Sequence, residues 1–404
     1  MKKIALLGVC LAATATGFAQ NSLVKEAEVE AKSKNYEKAM TMIVPAFSNP
    51  ETAGSAYTYY VPGKAGVDMY NDLYAATLLG KQVDKKKMGH ALIDGLSYLL
   101  KALPLDSVAD AKGKIKTKYS KNILKLINEN HKDLNDAAAV LFTDAKDYQG
   151  AYDAWGLFLS IPENPVLASK GPKAMADSTV SDIYYNQALA AWQLENLELS
   201  LESFEKAIAK GYDKPQAYDY AINHAARLGK NEKVYELADM AYAKFGNVNP
   251  LYLQLKINNL IDHKKFEEAT SFIEKSIAEN PNDAQMYFIQ GVLNETLKDN
   301  EKAKASYLTA IQKDEKNVVA LVSYARMLVN EAYALNDEAQ SKNLTNAEFA
   351  DMRTNKIDPL FRSASEYFEK ALAIDPENHD ARTYLRNIYY NLGDEENLKR
   401  IEAM

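Results

Sequence analysis

The sequence predicts an all-α fold built from repeated helix pairs. Three observations carry that expectation. The 404 residues include 17 Gly and 12 Pro, about 4% and 3% against usual values of about 7% and 5%. Sandwiches, barrels and propellers need turn residues every few positions, so this poverty argues against them. At 47% hydrophobic and 25% charged residues, the chain is too apolar to stay disordered. Finally, small residues recur at a fixed interval. Ala207, Ala241, Ser276 and Ala310 close four similar segments at spacings of 34, 35 and 34. Ser200, Val234, Ala269 and Ala303 repeat the series upstream.

The chain opens on a targeting pattern. Lys2 and Lys3 form a positive start, Ile4 to Ala15 a short apolar run, and Gly17-Phe18-Ala19 a triplet with small residues at both ends. This reads as a secretory signal peptide over 1–19, cut after Ala19. The apolar run is too short for a membrane span, which needs about 20 residues. Lipidation at Cys10 is the less favoured alternative, because the bulky Val9 precedes it and apolar residues continue beyond it. Cys10 is the only cysteine, so cleavage leaves a chain without a disulfide. No later stretch reaches 18 uninterrupted apolar residues, and no transmembrane span is expected.

Residues 20–165 predict irregular repeats. Ala27, Ala39, Ile43 and Ala46 mark a first helix pair at about 20–48. Gly95, Leu99 and Ala102 mark a second closing helix, and Ala139, Ala151, Trp155 and Phe158 a third pair ending at Pro162. Ala46, Ala102 and Phe158 stand 56 residues apart, which suggests long insertions within the pairs. The Pro- and Gly-rich segments 48–66 and 162–181 read as loops, with 166–180 as a linker.

Residues 181–404 predict a regular array. Pairs are placed at about 181–214, 215–248, 250–283 and 284–317, and a fifth begins at Val318. Polar residues 336–358 interrupt it and carry a helix-capping signal at Thr345 before Ala347-Glu348-Phe349. The second helix resumes near Pro359. The last unit starts at His379 and ends in the charged run Glu395 to Arg400, as suits a terminal cap that faces water. Asn280-Pro281 and Asp375-Pro376 end helices, because Pro cannot continue one. Gly229 and Gly393 fit turns that need a left-handed residue.

This pattern resembles the tetratricopeptide repeat family, whose unit is a 34-residue helix–turn–helix. The family's Ala, aromatic, Ala and Pro at positions 20, 24, 27 and 32 are matched by Ala364, Phe368, Ala371 and Pro376, and loosely by Ala269, Ile273, Ser276 and Pro281. In the first helix, Tyr184, Tyr218 and Tyr287 stand at position 4, and Ala188 and Gly291 at position 8. The resemblance implies a right-handed α-solenoid, the tetratricopeptide superhelix, with the first helix of each pair lining a concave groove. It further implies protein or peptide binding by side chains at positions 2, 5, 9 and 12 of those helices. In this sequence these include Tyr185, Trp192, Asn223, Gln254, Asn258, Phe288 and Arg326. Trp192 and Phe288 are read equally as packing residues against 336–358 or 48–66. Family members that clamp a terminal carboxylate carry Lys at position 5. Here Asp219 and Gln254 stand there, so that ligand is not implied.

The remaining chemistry is sparse. A net charge of −7 excludes a generally basic surface for nucleic acid. None of the five histidines lies three or four residues from another, so no helical metal pair is expected. No phosphate loop, nucleophile elbow or calcium loop appears, and neither catalytic residue nor cofactor is expected. The basic runs Lys85-Lys86-Lys87 and Lys112 to Lys125 read as solvated, with an acidic partner or membrane as alternative. The 26 tyrosines stand out. Tyr57, Tyr59 and Tyr60 are the densest group, and a loop contact to a peptide or glycan is the alternative to packing. The favoured function is a non-catalytic interaction scaffold of the bacterial cell envelope. The alternative is a glycan- or nutrient-binding accessory of an outer-membrane importer.

Overall fold

The structure is a computed structural model that describes residues 22–108, 113–167 and 170–404. The leader, including Cys10 and Ala19, lies outside the described residues. The described elements are helices, and the chain divides into two compact units at Leu237/Ala238.

The first unit begins with α1 (22–32) and α2 (Tyr36–Met42), followed by a 3-10 turn over Val44–Phe47. Ala27, Ala39, Ile43 and Ala46 are fully buried between them, as the first predicted pair requires. Next come α3 (Ala56–Leu78) and α4 (Lys85–Leu105), which pack on each other more extensively than any other two helices described. The expected loop over 48–66 is therefore wrong from Ala56 onward. Pro62, Gly63 and Gly66 lie inside α3, where they look like breakers but serve a helix crossing. A Cβ on Gly66 would sit 2.6 Å from the Ala91 carbonyl oxygen and 2.8 Å from Gly95 Cα. Glycine is the residue that lets two backbones approach so closely. The 56-residue spacing thus reflects longer helices here, plus an added helix α5 (Ser120–Asn130).

A long connection joins α4 to α5, and Asp106 pins its far end. Its carboxylate accepts the backbone N–H groups of Lys118, Tyr119 and Ser120 and the Ser120 hydroxyl, at 2.6–3.1 Å. The third pair is α6 (Asp133–Thr143) and α7 (Tyr148–Ser160). After an irregular stretch, α8 (Asp177–Gln193) packs on α7, so 166–180 is no gap between domains, and its last residues are already helical. The basic run at the start of α4 is consumed internally. Lys85 pairs with Asp144, Lys86 with Asp147 at 3.3 Å and Lys87 with Glu37 at 2.8 Å.

From α8 the pairs become regular. α9 (Leu197–Ala209) returns along α8, and α10 (Pro215–Arg227) is followed by α11 (Asn231–Phe245). The unit division falls inside α11. Small residues do what the period implied: the Ser200 hydroxyl donates to the Ala188 carbonyl at 2.8 Å, one helix against its partner.

The second unit contains α12 (Pro250–Asp262) with α13 (Phe266–Glu279), and α14 (Ala284–Thr296) with α15 (Asn300–Lys313). The interrupted pair is α16 (Val318–Ser341) and α18 (Asp358–Ile374). Between them lie α17 (Asn346–Met352) and a π turn over Arg353–Ile357. The predicted cap is present: Thr345 and Glu348 form a reciprocal capping box. α16 has the length and composition to cross a membrane. Its apolar face instead packs in the core, with Ala320, Leu321, Ala325 and Val329 beside Phe361 and Phe368. The last pair is α19 (His379–Leu392) and the short, charged α20 (Glu395–Glu402).

Within the pairs, one turn geometry recurs. Glu195, Gly229, Lys264 and Lys298 all take a left-handed backbone, with φ between 58° and 69°, at spacings of 34, 35 and 34. Side-chain N-caps follow the same logic. Asn196, Asp283, Asp299, Asn317, Asn378 and Asp394 each accept a backbone N–H of the first turn, worth about 1 kcal/mol apiece.

Candidate partner-binding surface

The predicted groove residues fall into three groups. The first has been absorbed into packing. Tyr185 stacks on Tyr212 with ring centroids 4.5 Å apart and meets Phe204 edge-on. Burial pushes both hydroxyls up, that of Tyr212 to about 12. Trp192 lies 5.0 Å from the rings of both Tyr220 and His224. The tyrosines of α3 belong here too, on a helix rather than a loop. Tyr57 donates to Glu28 at 2.7 Å, Tyr59 stacks on Phe47, and Tyr60 stacks on Tyr119 and accepts from Asn122.

The second group is amides. Asn223 is exposed on α10 in the first unit, while Gln254 and Asn258 are half-buried one turn apart on α12 in the second. Residues four apart share a helix face, so Gln254 and Asn258 present two amides side by side.

The third group is brought together. Phe288 of α14 and Arg326 of α16 line one cavity of about 340 Å³ in the second unit, with Val318, Val322, Asp380 and Tyr384. Its walls are the first helices of three successive pairs. Arg326 does not project freely. Its guanidinium donates to both carboxylate oxygens of Glu295, at 2.7 and 2.8 Å, and the Tyr307 hydroxyl donates to the same carboxylate at 2.9 Å. The hydrogen bonds from Arg326 lead in holding the Glu295 carboxyl below its ordinary range, against burial. Burial pushes the Tyr307 hydroxyl up. Phe288 serves both readings, since it also leans on the Tyr307 ring at 5.7 Å.

Asp380 and Tyr384 were not anticipated. Tyr384 stacks on Phe368 at 5.0 Å and turns its remaining surface to the cavity. The signal for Asp380 was available. The repeat register carried into the last pair places it second in α19, equivalent to Gln285 in α14.

In the first unit, a cavity of about 350 Å³ between α1 and α3 includes Tyr36, Tyr60, Lys32 and Lys64. Its ions are satisfied locally. Lys32 pairs with Glu28 at 3.1 Å, Lys64 with Asp68, and Lys34 with Asp72 at 2.9 Å.

Stacked antiparallel helix pairs with first helices sharing a face define a helical-repeat scaffold, the class that offers extended surfaces to partners. Residues 181–209 and 284–317 match the tetratricopeptide repeat, so the chain carries repeats of that family in each of its two units. No curated protein matches it in sequence. Solved structures similar to it include MamA, from residue 41 to its end, of Desulfovibrio magneticus RS-1. That match has 16% identity and a TM-score of 0.34, and covers 51% of this chain and 99% of that one. A tetratricopeptide repeat protein of Bacteroides fragilis NCTC 9343 matches at 17% identity and a TM-score of 0.32, covering 64% and 98%. The C-terminal part of a tetratricopeptide repeat protein of Cytophaga hutchinsonii matches at 16% and 0.38, covering 66% and 92%.

Proposed function

We propose that the protein is a non-catalytic interaction scaffold of the bacterial cell envelope. It holds a protein or peptide against the first-helix face of its repeats. The observation that carries this reading is the cavity on α14, α16 and α19. There an apolar floor of Phe288 and Val322 meets a fixed ion pair and open polar groups. Adjacent amides at Gln254 and Asn258 suit hydrogen bonds to an extended backbone. Placement in the envelope rests on the leader-like residues 1–19.

Photocrosslinking in intact cells tests the scaffold. A photoreactive residue at Asn258 or Val322 should trap a protein, whereas one at the exposed Glu274 of α13 should not. Trapping at Glu274 alone sinks the groove reading. The mass of the protein purified from its native cell tests export, with a chain starting at Gln20 as the expected result.

A further inference from the structure

We infer that the cavity between α14, α16 and α19 anchors one apolar side chain of a partner peptide, and that Lys or Arg stands beside that side chain. This deepens the scaffold reading and rests on it. At about 340 Å³ the cavity lies at the lower end of ligand sites, which run from about 300 to 1,000 Å³. That suits one or two side chains rather than a whole small-molecule ligand. Its floor is apolar: Phe288, Val318, Val322 and Tyr384, with Val319 54% exposed at the edge.

Charge then selects the neighbour. Two charged residues line the cavity, Arg326 and Asp380. Arg326 is neutralised where it stands by the two-point contact with Glu295. An acidic partner would have to draw Arg326 away and strand a half-buried carboxylate, which is unfavourable. Asp380 is exposed in the first turn of α19 and has no hydrogen bond or ion pair among the described residues. The uncompensated charge at the rim is therefore negative, and the chain's net charge of −7 favours a basic partner in the same sense. The cavity of the first unit offers no such preference, since each lysine there already has its carboxylate.

The test is a random dodecapeptide phage library panned on the full chain. The variants are Val319→Trp, which fills the cavity from an exposed position, and Asp380→Lys, which reverses the free charge. Peptides enriched on the wild type should carry a large apolar residue next to Lys or Arg. One of them, synthesised, should bind Val319→Trp at least tenfold more weakly. Panning on Asp380→Lys should enrich Asp or Glu beside the apolar residue. Peptides marked by acidic residues on the wild type would overturn the charge assignment. Peptides that bind both variants as tightly as the wild type would overturn the anchor. The scaffold reading survives that second result if Asn258→Arg abolishes their binding, and falls with the anchor if it does not. A library that enriches nothing overturns the anchor and leaves the scaffold to the crosslinks at Asn258.

Discussion

A Cβ atom on Gly291 would lie 2.5 Å from the ring of Tyr307. Gly291 sits mid-way along α14 and Tyr307 is 1% exposed on α15. In the interior of a helix, Gly is worse than Ala by about 1 kcal/mol. The ring of Tyr307 accounts for glycine here, since it fills the space a methyl group would need. Gly291→Ala should therefore destabilise the second unit by about 1–3 kcal/mol, the usual cost of overpacking, despite its better helix propensity. The midpoint of urea unfolding reports this. A rise in midpoint would mean the ring simply swings aside.

The recurring left-handed turn gives a prediction of opposite sign. Glu195, Lys264 and Lys298 hold the position that Gly229 holds in its own pair. A left-handed backbone costs an L-residue about 1–2 kcal/mol, and glycine offsets part of that gain through its freer unfolded chain. Lys264→Gly and Lys298→Gly should each stabilise by up to about 1 kcal/mol, and Gly229→Ala should destabilise by a similar amount. Thermal unfolding of the three variants checks the set. A loss of stability in both lysine variants would mean their side chains matter more than their backbone.

The regular half of this architecture was legible because its contacts are periodic. Ala207, Ala269, Ala303 and Ala310 are small for a reason that recurs every 34 residues, so a single sequence displays it. The Thr345 box is local chemistry and was equally readable. Residues 56–66 failed for the complementary reason. Gly63 and Gly66 answer to α4, about 30 residues onward, and nothing adjacent in sequence says so. Likewise the partners of Lys85, Lys86 and Lys87 lie at Asp144, Asp147 and Glu37. Among the candidate site residues, register alone placed Phe288 and Arg326, which the structure brings to one cavity. Tyr185 and Trp192 occupy the right register but are taken up by Tyr212, Tyr220 and His224. Those are rings whose reach the register does not encode.

Glu295 gives a pH-dependent test. Its folded pKa is lowered, led by the hydrogen bonds from Arg326. A carboxyl lowered on folding contributes stability that is present above its unfolded pKa, about 4.3, and lost as pH falls through the folded value. Glu295→Gln should lower stability at pH 7 by about 1–2 kcal/mol, allowing for partial exposure of the pair. It should also flatten the decline below pH 4.3 or so. Urea midpoints across pH 3–7 for both proteins would show it. Parallel curves would assign the pair no net role.

Asp106 tests whether one carboxylate fixes the backbone that enters α5 at Lys118 to Ser120. Burial acts to raise its pKa, but the hydrogen bonds from Ser120, Tyr119 and Lys118 outweigh it and the net direction is down. Asp106→Ala removes every acceptor at once, and hydrogen bonds to charged groups are worth about 1.5–3 kcal/mol. The expected loss is of that order. The sharper readout is limited proteolysis, with new cleavage between residues 113 and 120. Unchanged resistance there would mean the connection is held by other contacts.

His224 is the most unusual polar residue of the first unit. It is 0% exposed, packed against the rings of Trp192 and Phe204, and neither ring nitrogen has a hydrogen-bond partner among the described residues. A buried polar group without a partner costs about 1–3 kcal/mol. His224→Leu should therefore be neutral or stabilising at pH 8, by up to about 1 kcal/mol after the loss of ring contacts. The pH dependence is sharper. Burial leads and Arg227 adds in lowering the folded pKa. The unfolded imidazole takes up a proton below about pH 6.5 while the folded one resists. Stability must then fall as pH drops below that value, and recover as it rises. His131, buried with a lowered pKa as well, contributes the same trend in both proteins. The difference between wild type and His224→Leu from pH 8 to pH 5 isolates the contribution of His224. The variant should lose less stability over that interval. Equal losses would show that the unfolded and folded imidazoles bind protons alike, and that His224 has a partner in solution.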